Sequence, residues 1–187
     1  IRRDFKLMKP LAQLMEKIAF AERETHDTLV KEISISLDNI EDNHFMDESD
    51  VRSLMQVSSE SLVGAERGSI SLKEIEKRIK ADKFVADAEL YSDLKGNLLV
   101  NVELRRPVAR IIRNDGPDAY IAEDGTVMSV SEKFTSRVLL ISGGYAAKLI
   151  AMKDLSQNED GMKLMELMEF IRDDDFWKAQ IAQLDID

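Results

Sequence analysis

There is no cysteine in the chain, which removes disulfides, thiolate nucleophiles and zinc-thiolate sites from consideration. The two histidines, His26 and His44, both fall in polar connectors and outside any ligand spacing. They read as surface residues, not as metal ligands or general bases. Basic residues are outnumbered, 26 Lys and Arg against 36 Asp and Glu, for a net charge of −10. That balance disfavours a nucleic-acid partner, whose phosphates draw most of their affinity from cations. It equally disfavours adsorption to an anionic membrane surface. No apolar run approaches the ~20 residues needed to span a bilayer. Glycine is scarce, at eight residues, and none falls in a GxxxxGK(S/T) or GxGxxG phosphate cradle. No serine occupies a GxSxG elbow with a plausible downstream histidine. Asp173, Asp174 and Asp175 lack the calcium-loop pattern and point in different directions, so they read as a solvated turn. No catalytic residue, metal ligand or cofactor is therefore expected, and the chain does not read as an enzyme.

What the chain does carry is 44% hydrophobic residues whose period changes along its length. Over Phe5–Glu24, Met8, Leu11, Met15 and Ile18 recur at spacings of three and four, which predicts an amphipathic helix. Glu22–Thr28 is a polar connector. In the segment after Val30, Ile33, Ile35 and Leu37 alternate with Ser34, Ser36 and Asp38, the period of a half-buried strand. Asp47 is placed to cap a helix, with Asp50 in its first turn and Met46 and Val51 spaced as a hydrophobic staple. Val51, Leu54 and Met55 form the inward face of that helix. Ser71 and Glu74 predict a capping box for a second helix, with Ile70 and Ile75 as its staple and Leu72, Ile75 and Ile79 on its buried side. Two strands follow. In Val85–Ser92 the pattern puts Ala86, Ala88 and Leu90 on one face; in the next strand Leu98, Val100, Val102 and Leu104 form a continuous apolar face.

Past Pro107 the signal becomes strand-rich. Ala109–Arg113, Tyr120–Ala122, Thr126–Val130 and Arg137–Ser142 are separated by turn residues, and Asp124-Gly125 predicts a hairpin turn. Gln157–Asp173 has helical periodicity, with Leu164, Leu167, Met168 and Ile171 on one stripe. Ile181, Leu184 and Ile186 suggest the beginning of a further strand, in a chain expected to continue beyond it. The expected fold is α+β: a βααββ module followed by a strand-rich β domain with a C-terminal amphipathic helix. The expected divisions are 1–28, helix and connector; 29–107, the βααββ module; and 108–187, the β domain.

A strand-helix-helix-strand order also occurs in KH-type RNA binders, which clamp the nucleic-acid backbone with a GxxG loop. Here Gly64 and Gly68 are one residue too far apart, and Glu66 lies between them. A different resemblance covers about 155 residues. Asn43 to Val51, Val85 to Leu90, Glu103-Leu104-Arg105-Arg106-Pro107-Val108-Ala109, Tyr120-Ile121-Ala122-Glu123-Asp124-Gly125-Thr126-Val127-Met128 and Arg137 to Gly143 occur in the order and spacing of one family. On these residues, Val30–Arg110 resembles a POTRA domain. The whole stretch to Asp187 resembles the FtsQ/DivIB cell-division proteins, most like versions from the Bacteroidetes. Glu103, Arg106, Pro107, Ala109, Tyr120, Asp124 and Gly125 carry the family motif.

The resemblance implies a non-enzymatic scaffold at the division septum. It would be a single-pass inner-membrane protein with this region in the periplasm and its anchor outside the present sequence. It implies binding of small FtsB/DivIC-like and FtsL-like division proteins, by β-strand addition at a C-terminal sheet edge near Trp177, Ile181, Leu184 and Ile186. On residue type alone Trp177 is expected to be core. The alternative reading is a POTRA module of an outer-membrane assembly or secretion machine that binds client strands.

Overall fold

The computed structural model describes residues 29–38, 44–55 and 62–187. The helix expected over Phe5–Glu24 and the connector Glu22–Thr28 lie outside them. The first unit comprises β1 (Ile33–Asp38), α1 (Glu48–Met55), α2 (Leu72–Lys80), β2 (Val85–Ser92) and β3 (Leu98–Leu104). Its sheet runs β1-β3-β2, with β3 parallel to β1 and antiparallel to β2. The register sets Val100 between Ile35 and Leu90, and Val102 between Leu37 and Ala88. These side chains share one face, as a period of two demands. The two helices close over it with Val51, Met55, Ile75 and Ile79, each no more than 1% exposed. The unit is thus a two-layer α+β sandwich around one core.

Local signals explain most of this layout. Asp47 Oδ1 accepts from the amides of Ser49 at 2.8 Å and Asp50 at 3.1 Å, and Asp50 Oδ2 accepts in return from the Asp47 amide at 2.9 Å. This reciprocal arrangement satisfies amides that the first helical turn leaves without partners. Two expectations are corrected. Ser71 stands at the start of α2, but its hydroxyl makes no capping bond. The start of α2 rests on the backbone bonds from Glu74 and Ile75 to the Ser71 carbonyl and on the burial of Ile75. In β2 an irregularity between Val85 and Asp87 shifts the phase. An extra residue in one strand reverses the alternation, so Val85, not Ala86, is buried alongside Ala88.

The second unit comprises β4 (Pro107–Ile111), β5 (Ala119–Ala122), β6 (Val127–Ser129), β7 (Leu139–Ser142), α3 (Ala146–Met152), α4 (Glu159–Asp173), α5 (Asp175–Gln180) and β8 (Gln183–Asp185). The sheet order is β6-β5-β4-β7-β8; β4 to β6 pair antiparallel, while β7 lies parallel to β4 and β8 parallel to β7. A parallel neighbour requires a crossover, and α3, α4 and α5 form the one between β7 and β8. Ala109, Ile111, Ile121 and Ile141 pack from the sheet against Leu149, Leu164 and Met168. The expected stripe on α4 is narrower than its residue types suggest. Leu164, Met168 and Ile171 are buried, but Leu167 is 43% exposed, because it falls outside the arc that those three span on the helix.

An aromatic cluster joins the two units. Phe45, which precedes α1, is 2% exposed and stacks on Phe84 with centroids 5.3 Å apart. It meets Tyr120 and Phe134 of the second unit edge-on at 5.2 and 5.3 Å. Around this cluster Lys133 Nζ reaches Asp47 at 3.0 Å and Asp50 at 2.6 Å, and Arg105 Nε reaches Asp124 at 2.9 Å. The Ser49 side chain and then Lys133 hold the Asp47 carboxyl well below the ordinary carboxylate range. A folded-state value below the unfolded one means a stabilising contribution that is complete above about pH 4 and lost as pH falls further. The Asp47→Asn variant keeps an acceptor at the cap but has no charge to lose. Its melting temperature is expected to fall less steeply below about pH 4 than that of the unsubstituted chain. Parallel acid limbs in a pH series of melts would remove Asp47 from this coupling.

Candidate partner-binding edge

The C-terminal edge of the second sheet is assembled by caps and a tight corner. Asn158 Oδ1 accepts from the Asp160 amide at 2.9 Å and starts α4. Asp174 Oδ1 accepts from the amides of Phe176 at 2.9 Å and Trp177 at 3.1 Å and starts α5. That helix ends where the Ile181 amide donates to the Trp177 carbonyl, and the chain extends into β8. The Leu140 amide donates to the Ala182 carbonyl at 3.0 Å, and the Ile186 amide to the Ser142 carbonyl at 2.8 Å.

Along a parallel ladder, alternate residues turn both backbone groups to the same side. Ala182, Leu184 and Ile186 therefore bond β7, while Gln183 and Asp185 turn their N–H and C=O outward. β8 is the terminal strand of the sheet, so these outward groups form a free edge among the described residues. Edges of this kind accept an added strand unless something blunts them.

The residues singled out in the sequence divide between two roles. Leu184 and Ile186 are half-buried against the core of the second unit and hold β8 in place. Ile181 is half-buried at the junction of α5 and β8. Trp177 is 39% exposed, contrary to the expectation of a core tryptophan. A six-residue helix on the outside of the sheet gives it nothing large to pack beneath. Its ring meets that of Phe176, itself 62% exposed, edge-on at 5.0 Å. Gln183 and Asp185 escape a reading of side chains, since what they offer is backbone.

The motif residues lie elsewhere. Pro107 and Ala109 are buried in β4, and Glu103 is exposed on β3. Tyr120 is 1% exposed at the junction of the units, where its hydroxyl accepts from the Ser136 amide at 3.2 Å. Arg106 Nη1 lies 4.0 Å from Glu123 Oε2. Burial raises the Asp124 carboxyl, but the Thr126 amide and Arg105 outweigh it, and the net shift is downward. Gly125 has φ of 87°, the left-handed conformation that the turn between β5 and β6 requires. These positions shape the corner and the junction. Among the described residues no group of three or more His, Cys, Asp or Glu could hold a metal ion, and no helix is long and apolar enough to cross a membrane.

Residues 106–187 match the family model described as FtsQ/DivIB, C-terminal related. Residues 28–103 match that of the POTRA-like domain. No curated protein matches the chain.

Proposed function

The chain belongs to an FtsQ/DivIB-like family, and from that membership we propose that it is a non-enzymatic scaffold of the bacterial division machinery. It acts in the periplasm at the septum, held by an inner-membrane anchor, and binds small FtsB/DivIC-like and FtsL-like proteins. The POTRA-like unit spans the βααββ sandwich, and the second unit carries the partner edge. The observation that carries this reading is the outer side of β8, which no strand among the described residues pairs.

A partner segment extends the five-stranded sheet by bonding the outward groups of Gln183 and Asp185. Main-chain bonds supply affinity, and nearby side chains such as Trp177 and Ile181 supply selectivity. Leu184 and Ile186 contribute by fixing the strand to its core. The match of residues 106–187 to the FtsQ/DivIB C-terminal model favours division over outer-membrane assembly.

The test is Asp185→Pro in the full-length protein. Proline lacks the amide that would donate to an added strand, whereas the bonds to β7 come from Ala182, Leu184 and Ile186. The variant is expected to fold with an unchanged far-UV spectrum, to lose co-purification with its division partners, and to lose their recruitment to mid-cell. Undiminished co-purification would rule out strand addition at β8. A full-length fluorescent fusion spread evenly around the envelope would rule out the septal role.

A further inference from the structure

Acids outnumber bases in this chain, 36 to 26, yet one groove of about 620 Å³ reverses the balance. It lies where β4 and β7 begin and where the chain passes from α5 into β8. Among the described residues its ionisable lining is Arg106, Arg110, Arg137, Arg172 and Lys178, with no carboxylate. Three of these charges are answered from outside the groove. Arg110 Nη2 donates to Asp118 Oδ2 at 2.7 Å, Arg172 Nη1 reaches Glu123 Oε1 at 2.5 Å, and Arg106 faces Glu123. Arg137 and Lys178 are exposed, and neither takes part in the ion pairs found among the described residues. Between them the floor is apolar, formed by Val108, Leu140, Met168 and Ile181.

We infer that this groove receives an acidic peptide segment in which carboxylates alternate with apolar side chains. The segment is the part of the partner that adjoins the strand added at β8, so the inference rests on the function proposed above. Two features support it. Charge complementarity is local: a strongly acidic protein leaves two cations unanswered in one concave, apolar-floored place, where carboxylates would meet them in reduced dielectric. Continuity is covalent: Ile181 and Ala182 line the groove and lead directly into the free edge, so one extended segment can run from edge to groove. A membrane surface fits less well, because a net charge of −10 opposes approach to anionic lipid and the apolar floor is recessed. Nucleic acid needs more unanswered cations than two.

The experiment titrates the 187-residue chain with the labelled nonapeptide Gly-Glu-Leu-Asp-Val-Glu-Leu-Asp-Gly, followed by fluorescence anisotropy. A control peptide carries Gln and Asn in place of Glu and Asp. The acidic peptide is expected to bind about tenfold more tightly, a preference that shrinks as salt rises. The double variant Arg137→Ser/Lys178→Ser is expected to bind both peptides equally. Asp185→Pro weakens both peptides alike and preserves their ratio, so loss of strand addition and loss of the groove give different signatures. Equal affinity of the two peptides for the unsubstituted chain overturns the inference, as does a preference that survives in the double variant. Failure of the acidic peptide to bind overturns it too. So does binding to phosphatidylglycerol vesicles that the double variant abolishes while peptide binding stays unchanged, which would assign the cations to lipid.

Discussion

Val102→Asp is expected to abolish cooperative unfolding of the first unit. β3 is the middle strand of its sheet, and Val102 stands between Leu37 of β1 and Ala88 of β2. It is 1% exposed, among Val51, Met55, Ile75 and Ile79. A carboxylate there would lose its water and find no cation. Burying an unpaired ion costs several kcal/mol, or forces the group to take up a proton at a similar cost. The stability of a whole small domain is about 5–15 kcal/mol, so one such substitution removes much of the margin. Val100, 0% exposed between Ile35 and Leu90, gives the same expectation. The control is Asn101→Lys, one residue away on the exposed face opposite Ser36 and Glu89, which should leave thermal unfolding unchanged within about 0.5 kcal/mol. A Val102→Asp protein that melts cooperatively near the unsubstituted temperature would mean that the inward face of β3 is assigned wrongly.

The same strand shows why part of this fold is legible in the sequence. Leu98, Val100, Val102 and Leu104 obey a strict period of two, and burial on one face leaves such a strand a single register. The capping pattern from Asp47 to Asp50 is legible for a similar reason, since donors and acceptors three residues apart form whatever lies around them. The failures are non-local or lie in phase. The irregularity after Val85 depends on how β2 meets β3, and no residue type there announces it. Ser71 has the right neighbour in Glu74, but its hydroxyl takes no amide. The helix Ala146–Met152 is only seven residues long and follows two glycines, too short for a periodic signal. At the candidate site, apolar spacing picks out Leu184 and Ile186, which anchor the strand. The backbone groups that face away from β7 belong to Gln183 and Asp185, whose direction follows from which residues of β8 bond β7. The junction of Phe45 with Tyr120 and Phe134 is likewise silent in sequence, because the contacts join residues 75 to 89 positions apart.

Gly143→Ala is expected to abolish partner binding while leaving most of the second unit folded. Gly143 follows β7 with φ of 111°, outside the region that residues with a side chain readily adopt. A Cβ there would sit 2.2 Å from the Ile186 carbonyl oxygen and 2.6 Å from the Ile186 nitrogen. Both are backbone atoms, so no flexible side chain can swing away to make room. The Ile186 amide bonds the Ser142 carbonyl and its carbonyl accepts from Tyr145, so the end of β8 must detach. Ala109, Ile111 and Ile121 keep their packing against Leu149 and Leu164, because β4 and β5 do not touch this corner, and Ile141 stays paired with Ile111 on the other side of β7. Hydrogen exchange provides the local readout: the Ile186 amide should lose its protection while that of Ile112, bonded to the Ile141 carbonyl, keeps it. Affinity for the division partners should fall more than tenfold, about 1.4 kcal/mol or more, because the added strand loses the edge it pairs with. Gly144→Ala provides the contrast. Its Cβ would meet only the flexible Asp187 carboxylate at 3.4 Å, so both protection and binding should survive. If Gly143→Ala bound its partners normally with Ile186 exposed to exchange, the β8 edge could not be the binding surface. If Ile186 stayed protected, the corner would tolerate a side chain that its geometry forbids.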